Sequence, residues 1–482
     1  MMKMGFLDAL GKMAYILPSV KKPERRPSLY ERFGWTGLVL LLFLIMGNVY
    51  LYGIPTKAII SPESALSVFT LIFGMRTGTL MMLGISPIVT AGIVLEVLVG
   101  AKIIELDLTD PEQREKFTAA QKGLAIILAI VEATAYAVSN LGGALRTPLT
   151  PTQQVLVIIQ LVIASIIVLL FDELLQKGWG IGSAISLFIL ANVAETVTWD
   201  MFSIAPAIGG AGTYFGIIPE LITRIFTGNI LEIVIRQGLP DIIGLVATLS
   251  FMLLLIYLQG VRVEIPVTIQ RYRGIRSKIP LNFLYVANIP VLLFMIFISD
   301  YLFFARIIWS RFNSDNSNVF LNILGTFTIN EKNQLVTTGG LAYYLSPPRG
   351  ILGLIAEPIR VLVYTVLLII AAIVFGLMWV EVSGMSPRDQ AEQLIKSGLN
   401  IPGMRLGSVK ALEAFLSRYI YPLTLLSSII VGAIAALAHI LGVFGGGMGI
   451  LLAVGIIYQY YQVIAYERAL EAYPLLRRLI GE

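Results

Sequence analysis

"WTGLVLLLFLIMGNVYLYGI", residues 35–54, carries no ionisable side chain except its tyrosines. A helix rises about 1.5 Å per residue, so a run of ~20 such residues can cross a hydrocarbon core of ~30 Å. Composition extends this reading to the whole chain. Of 482 residues, 57% are hydrophobic and 13% are charged, against about 25% charged in ordinary soluble domains. So few charges would not cover the surface of soluble domains this large. The sequence is predicted to be an all-α polytopic membrane protein.

Outward from that first run, ten candidate spans lie near 35–54, 79–101, 122–140, 154–174, 181–198, 241–260, 283–304, 352–380, 419–441 and 449–467. Residues 1–34 precede them. Within that arm, "MGFLDALGKMAYILPSV" (4–20) has helically spaced apolar positions, with Asp8 and Lys12 on the other side and no small-residue cleavage site after it. This predicts an amphipathic helix on the membrane surface rather than a signal peptide. Lys and Arg set the orientation. With the N-terminus in the cytoplasm, 25 of the 35 fall on that side and ten outside. Both termini are therefore expected in the cytoplasm, with the chain multi-pass in a cell membrane.

The spans divide at a glycine-interrupted external connector, 199–240, into a first half at 35–198 and a second at 241–467, followed by a tail at 468–482. Five spans per half would invert the second half relative to the first, an arrangement common in transporters. Three long loops stand out: 261–282 and 381–418, both basic and cytoplasmic, and 305–350, external and rich in Asn, Ser and Thr. Long loops are either functional or disordered. "RYRGIR" packs Arg271, Arg273 and Arg276 into six residues. Such a cluster suits phosphate, and hence RNA or anionic lipid, although basic loops on this side also satisfy the topology rule.

The chain has no cysteine and one histidine, His439. That argues against disulfides, thiolate metal sites, structural zinc, haem and Ser-His-Asp chemistry. The glycine clusters "GWGIGSAIS" (178–186) and "GGGMGI" (445–450) follow no strand and lack the Walker lysine, so they read as helix ends and not phosphate loops. No catalytic constellation, cofactor or metal is expected. Ion-coupled transporters place ionisable groups deep in the bilayer. Here the candidates are Glu96, Glu132 in "AIVEATAYAV" and Glu195. Glu132 is the best hint of a secondary transporter of a small solute, but it has no evident partner at matching depth, and a hydrogen bond to a neighbouring helix is the expected role. His439 is expected to be a satisfied interfacial side chain.

"LGISPIVTAGIVLEVLVG" (83–100) is about one crossing long, yet it holds Pro87, Gly84, Gly92 and Gly100. Ile85, Val89 and Ile93 lie four apart, one stripe on a helix. "GIGSAIS" repeats the device with Ile181 and Ile185. Glycine and proline permit close approach and bending of helices. Bent helices offering branched aliphatic residues to a common axis would build a constriction that resists wetting and blocks ions without any charge.

"GTLMMLGISPIVTAGIVLEVLVG" (78–100), "DELLQKGWGIGSAISLF" (172–188), "YVANIP" (285–290), "GLAYYLSPPRG" (340–350) and "WVEVSGMSP" (379–387) resemble the SecY family, the large subunit of the protein-conducting channel, in its archaeal and eukaryotic branch. The resemblance covers essentially the whole chain in order, spacing and span count. It implies ten transmembrane helices in two inverted five-helix halves around a central pore that conducts unfolded polypeptides and releases hydrophobic segments laterally. It implies a pore ring at Ile85, Val89, Ile93, Ile181, Ile185, Ile289 and Leu452, with Leu451 the rival of the last. A plug helix would fall at about 61–75, where Ser61, Pro62 and Glu63 form a helix-start signal. The lateral gate would open between spans two and three and spans seven and eight, with Asn288 at the seam. Arg271, Arg273, Arg276 and Arg405 would lie on loops that dock a ribosome or another cytoplasmic driving partner. The family further implies SecE-like (gamma) and beta small membrane subunits as partners.

Overall fold

The computed structural model describes residues 7, 9–12, 18–25, 27–54, 74–100, 103–104, 106, 111–139, 149–207, 213–228, 230–236, 238–269, 275–286, 289–329, 335–348, 350–401 and 408–472. Among them, nine helices are long and apolar enough to cross a membrane, and a tenth, Ser86–Gly100, is a shorter apolar helix. In chain order the ten are α1 (Leu29–Met46), α2 (Ser86–Gly100), α3 (Pro111–Val138), α4 (Pro151–Leu174), α5 (Ala184–Phe202), α6 (Ile242–Gly260), α7 (Ile289–Phe312), α8 (Pro358–Val382), α9 (Val409–Ile440) and α10 (Gly447–Ala472). The face on which the chain enters α1 is called the near face below, and the opposite one the far face.

Local chemistry starts these helices where the chain needs them. Ser28 and Glu31 close a capping box on α1, and Thr150 and Gln153 close another on α4, with Pro151 in its first turn. The Asp241 carboxylate accepts the Gly244 N–H at the start of α6.

The packing of the first five helices repeats in the second five. α1 meets α5 as α6 meets α10. α2–α3 corresponds to α7–α8, α3–α4 to α8–α9, and α4–α5 to α9–α10. Five crossings per repeat invert one half against the other. The halves touch along two seams, α5 against α10 and α2 against α7 and α8.

The second and seventh spans depart from the sequence reading. The second span is helical only from Ser86. Residues 79–85 before it form turns, bridged to the segment after α1 through Tyr50 and Thr79. This irregular backbone is tolerated because Met81, Leu83 and Ile85 are buried in protein and not exposed to lipid. The seventh span begins later than expected and runs to Phe312, because Leu284, Tyr285 and Val286 fold into a buried turn.

The helical body also carries strands in its loops. β1 (Arg262–Ile269) and β2 (Ile275–Asn282) form an antiparallel hairpin. On the far face, β3 (Thr326–Ile329) pairs with β4 (Leu335–Gly339). β5 (Leu399–Asn400) adds to the other edge of β1 on the near face. Residues 9–12 of the N-terminal arm are helical, but Leu7 and Leu10 pack with Leu95, Phe117 and Ala120. That edge therefore seats on α2 and α3, where the sequence suggested a helix lying on the membrane surface.

Candidate functional site

The centre of the molecule is a single apolar cluster fed by both halves. Ile85 is fully buried in it, together with Phe188 of α5, Val291 and Phe294 of α7, and Leu451 and Leu452 of α10. Val89, Ile93 and Ile185 pack against the same cluster. Ile85 precedes the first turn of α2, yet its carbonyl accepts the Val89 N–H at 3.1 Å. The four-residue stripe therefore holds across the helix boundary. Close approach is built in: a Cβ on Gly100 would sit 1.8 Å from Val382 Cγ2 of α8, and one on Gly92 2.7 Å from Gln121 Nε2 of α3.

Ile181 corrects one expectation. It is buried, but it lies in the turn before α5 and is not one helical turn from Ile185. The Ile181 N–H donates to Thr36 Oγ1 at 3.0 Å, and the neighbouring Gly180 carbonyl accepts from Arg32 Nε at 2.9 Å. Helical periodicity thus does not relate Ile181 to Ile185, and α1 holds Ile181 in place. Ile289 is half-buried in the first turn of α7. Leu451 and Leu452 are both buried, so burial does not separate the two candidates.

Near this cluster, on the near face, lies a cavity of about 690 Å³. Its apolar lining includes Ile88, Leu169 and Ile185. The charged lining includes Arg114, Lys122, Glu173 and Lys177. Asp172, also on the wall, was not singled out from sequence. Its Oδ1 accepts from Ser183 Oγ at 2.9 Å and from the N–H groups of Ala184 and Ile185 at 3.0 and 3.4 Å, while Oδ2 accepts from Gln176 Nε2 at 2.7 Å. A carboxylate on α4 thereby does the work of a cap for α5, whose own Ser183 makes no side-chain cap. The only local signal is an Asp–Glu pair closing an apolar run. Glu173 bridges Lys122 and Lys177 at 2.7 and 2.6 Å.

At the α2–α7 seam, the Thr90 hydroxyl donates to Asp300 Oδ2 at 3.2 Å. α3 also reaches α7, with Tyr136 and Phe303 rings 4.6 Å apart. Glu132 is buried on α3 beside Ser86 of α2 and Asp300 of α7. Asp300, in "FISDYLFF", was missed because one acid hardly lowers the hydropathy of so apolar a run. His439 is buried in the last turn of α9, its Nδ1 3.1 Å from the Tyr364 hydroxyl. Asn288 lies outside the described residues, as do 61–73 of the plug segment.

The two basic loops read separately from sequence form one platform. Ile265 and Val267 of β1 share a buried cluster with Ile401, Val380, Leu412 and Leu416, and the Tyr285 hydroxyl donates to the Met385 carbonyl at 2.7 Å. Arg276 sits on β2 opposite Thr268, close to the hairpin tip. Arg271, Arg273 and Arg405 lie outside the described residues.

A helical membrane protein of two inverted five-span halves, with one buried apolar cluster fed by both, has the build of a channel. The SecY family model matches residues 79–461. The protein translocase subunit SecY of Aeropyrum pernix is 48% identical over 482 residues, covering 99% of this chain and 99% of that protein. Among solved structures, a SecY in which the plug domain stabilises the closed state of the translocation channel and maintains a membrane seal is 36% identical, with a TM-score of 0.74 over 95% of this chain and 97% of the other. Sec61 in the canine ribosome-channel complex from the endoplasmic reticulum is 33% identical, with a TM-score of 0.73 over the same shares. The chain belongs to the SecY family, a family of protein-conducting channels and not of enzymes.

Proposed function

We propose that this chain is the channel-forming subunit of a translocase in the plasma membrane, with both termini cytoplasmic. It conducts unfolded polypeptide through a waist lined by Ile85, Val89, Ile93, Ile181, Ile185, Ile289 and Leu452, and releases hydrophobic segments between α2 and α3 on one side and α7 and α8 on the other. The observation that carries this reading is the shared apolar cluster: Ile85 and Leu452, from opposite halves, are buried in it, and Val89, Ile93 and Ile185 pack against it.

A ring of branched hydrocarbon does three things at once. It stays dry when closed, so ions find no path. Its side chains can shift among rotamers to fit different passengers. It makes no charge-specific contact, so it does not discriminate among them. A passenger segment rich in Leu, Ile, Phe or Val then leaves for lipid, favoured by ~0.3–0.6 kcal/mol per residue. Residues 61–75 would close the far side of the waist as a plug, and Asn288 would meet a signal sequence at the seam.

The driving force comes from a partner on the near face. The canine Sec61 neighbour is held in a ribosome-channel complex. By extension, the platform of β1, β2 and β5, with Arg276 on β2 and Arg271, Arg273 and Arg405 in the same two basic segments, docks a ribosome or another driving partner. SecE-like (gamma) and beta small subunits complete the assembly. Replacing Ile85, Ile93 and Ile185 together with serine tests the seal. Vesicles reconstituted with this variant should leak ions severalfold faster than wild type. Unchanged conductance would contradict the reading.

A further inference from the structure

The far-face helix Ile217–Thr227 is built inside out. Its charged residues point into the protein. Glu220 is 1% exposed, accepting the Tyr214 N–H at 2.8 Å and Arg224 Nε at 2.9 Å, and Arg224 continues to Glu232 at 2.5 Å. Burial alone would push the Glu220 carboxyl up. The Tyr214 N–H and the guanidinium of Arg224 outweigh this and hold it below its ordinary value, so the network stays charged. The opposite face carries Ile222, Ile225 and Phe226, which are 53%, 55% and 86% exposed. A water-facing helix has the reverse polarity.

The level of this helix identifies what covers that face. Ile217 is buried in a cluster that also takes in Val197 and Met201 from the last turns of α5, and Ile242 and Leu245 from the first turn of α6. α5 and α6 are 19 residues each, about 28 Å at 1.5 Å per residue, close to the ~30 Å hydrocarbon thickness. Their ends, and the helix laid across them, therefore sit at the hydrocarbon boundary. Exposed Trp199, Phe202 and Ile204 continue the apolar surface from the end of α5, and aromatic residues concentrate at that depth.

We propose that Ile217–Thr227 is an interfacial anchor, lying in the plane of the far membrane surface with Ile222, Ile225 and Phe226 among the acyl chains. It holds the connector between the two halves at a fixed depth. The occupant of this face is lipid, and not a second protein chain.

Because the sequence holds no cysteine, one introduced cysteine labels a single site. Spin labels at Phe226→Cys and Ile222→Cys are compared, in vesicles carrying the chain with its co-purifying small subunits, with Leu253→Cys on the exposed side of α6 and Asp315→Cys on a far-face loop. The ratio of oxygen to nickel-chelate collision rates should be severalfold higher at 226 and 222 than at 315, approaching 253. A ratio at both sites equal to that at 315 would mean water and overturn the proposal. Protection from both reagents would mean a protein cover and overturn it as well. Two labelled sites keep the outcome readable if one variant fails to fold.

Discussion

Where α5 meets α10, the halves are tied at both membrane faces. On the near side the Tyr460 hydroxyl donates to the Ser183 carbonyl at 3.0 Å, and Arg32 of α1 pairs with Glu467 of α10 at 2.8 Å. On the far side the Gly445 N–H reaches Asp200 Oδ2 at 3.4 Å. Where α2 meets α7 and α8, contact rests on apolar packing, the tight approach of Gly100 to Val382, and the Thr90–Asp300 hydrogen bond within the membrane. The first seam is therefore expected to keep its register when the second loosens. Among the described residues, the second is held by van der Waals contact and by ties such as the Thr90–Asp300 hydrogen bond. A structure in which one seam is pinned and the other only packed can open to one side, as lateral release of a hydrophobic segment requires.

The strongest challenge to this contrast is to lock the packed seam. Thr90→Cys with Asp300→Cys should be joined by a short bis-methanethiosulfonate crosslinker, given the 3.2 Å approach of the native side-chain oxygens. Insertion of a hydrophobic test segment should then fall to background and return on reduction. Insertion that persists with the crosslink formed would break the comparison. A smaller effect is expected from a wedge. Gly100→Val places its Cβ against Val382, so α2 must move off α8. The variant should insert weakly hydrophobic signal sequences severalfold better than wild type in a translocation assay, and no gain would mean that this contact does not hold the seam shut.

The pinned seam should respond differently. Arg32 and Glu467 side chains are 12% and 14% exposed, and removing one partner of a largely buried pair costs about 3 kcal/mol. Arg32→Ala should therefore lower the unfolding temperature in detergent while leaving signal-sequence selectivity unchanged. A change in selectivity without a loss of stability would reverse the roles assigned to the two seams.

Much of this was legible in the sequence because bilayer crossing depends on local runs of apolar residues. The count of ten spans, their halving at 199–240 and the loops that protrude all follow from such runs. The stripe Ile85–Val89–Ile93 was legible for the same reason, since helical spacing is local. Contacts between distant residues were not. β1 joins β5 across more than a hundred residues, so two separate basic loops gave no sign of being one platform. The partners Thr90 and Asp300 are 210 positions apart. Asp172 caps α5 from another helix, where a capping motif would lie next to the helix it starts. The relation of Ile181 to Ile185 was misread because a four-residue spacing implies a shared face only where the backbone is helical, and residues 180–182 lie before the first turn of α5.

The central claim is that Val89 and its neighbours contact the passenger. A photo-crosslinker placed at Val89 alone, with a translocation intermediate arrested midway, tests it directly. The account predicts adducts to the segment of the passenger halfway through the membrane. Adducts to lipid or to the chain's own helices, with none to the passenger, would contradict it.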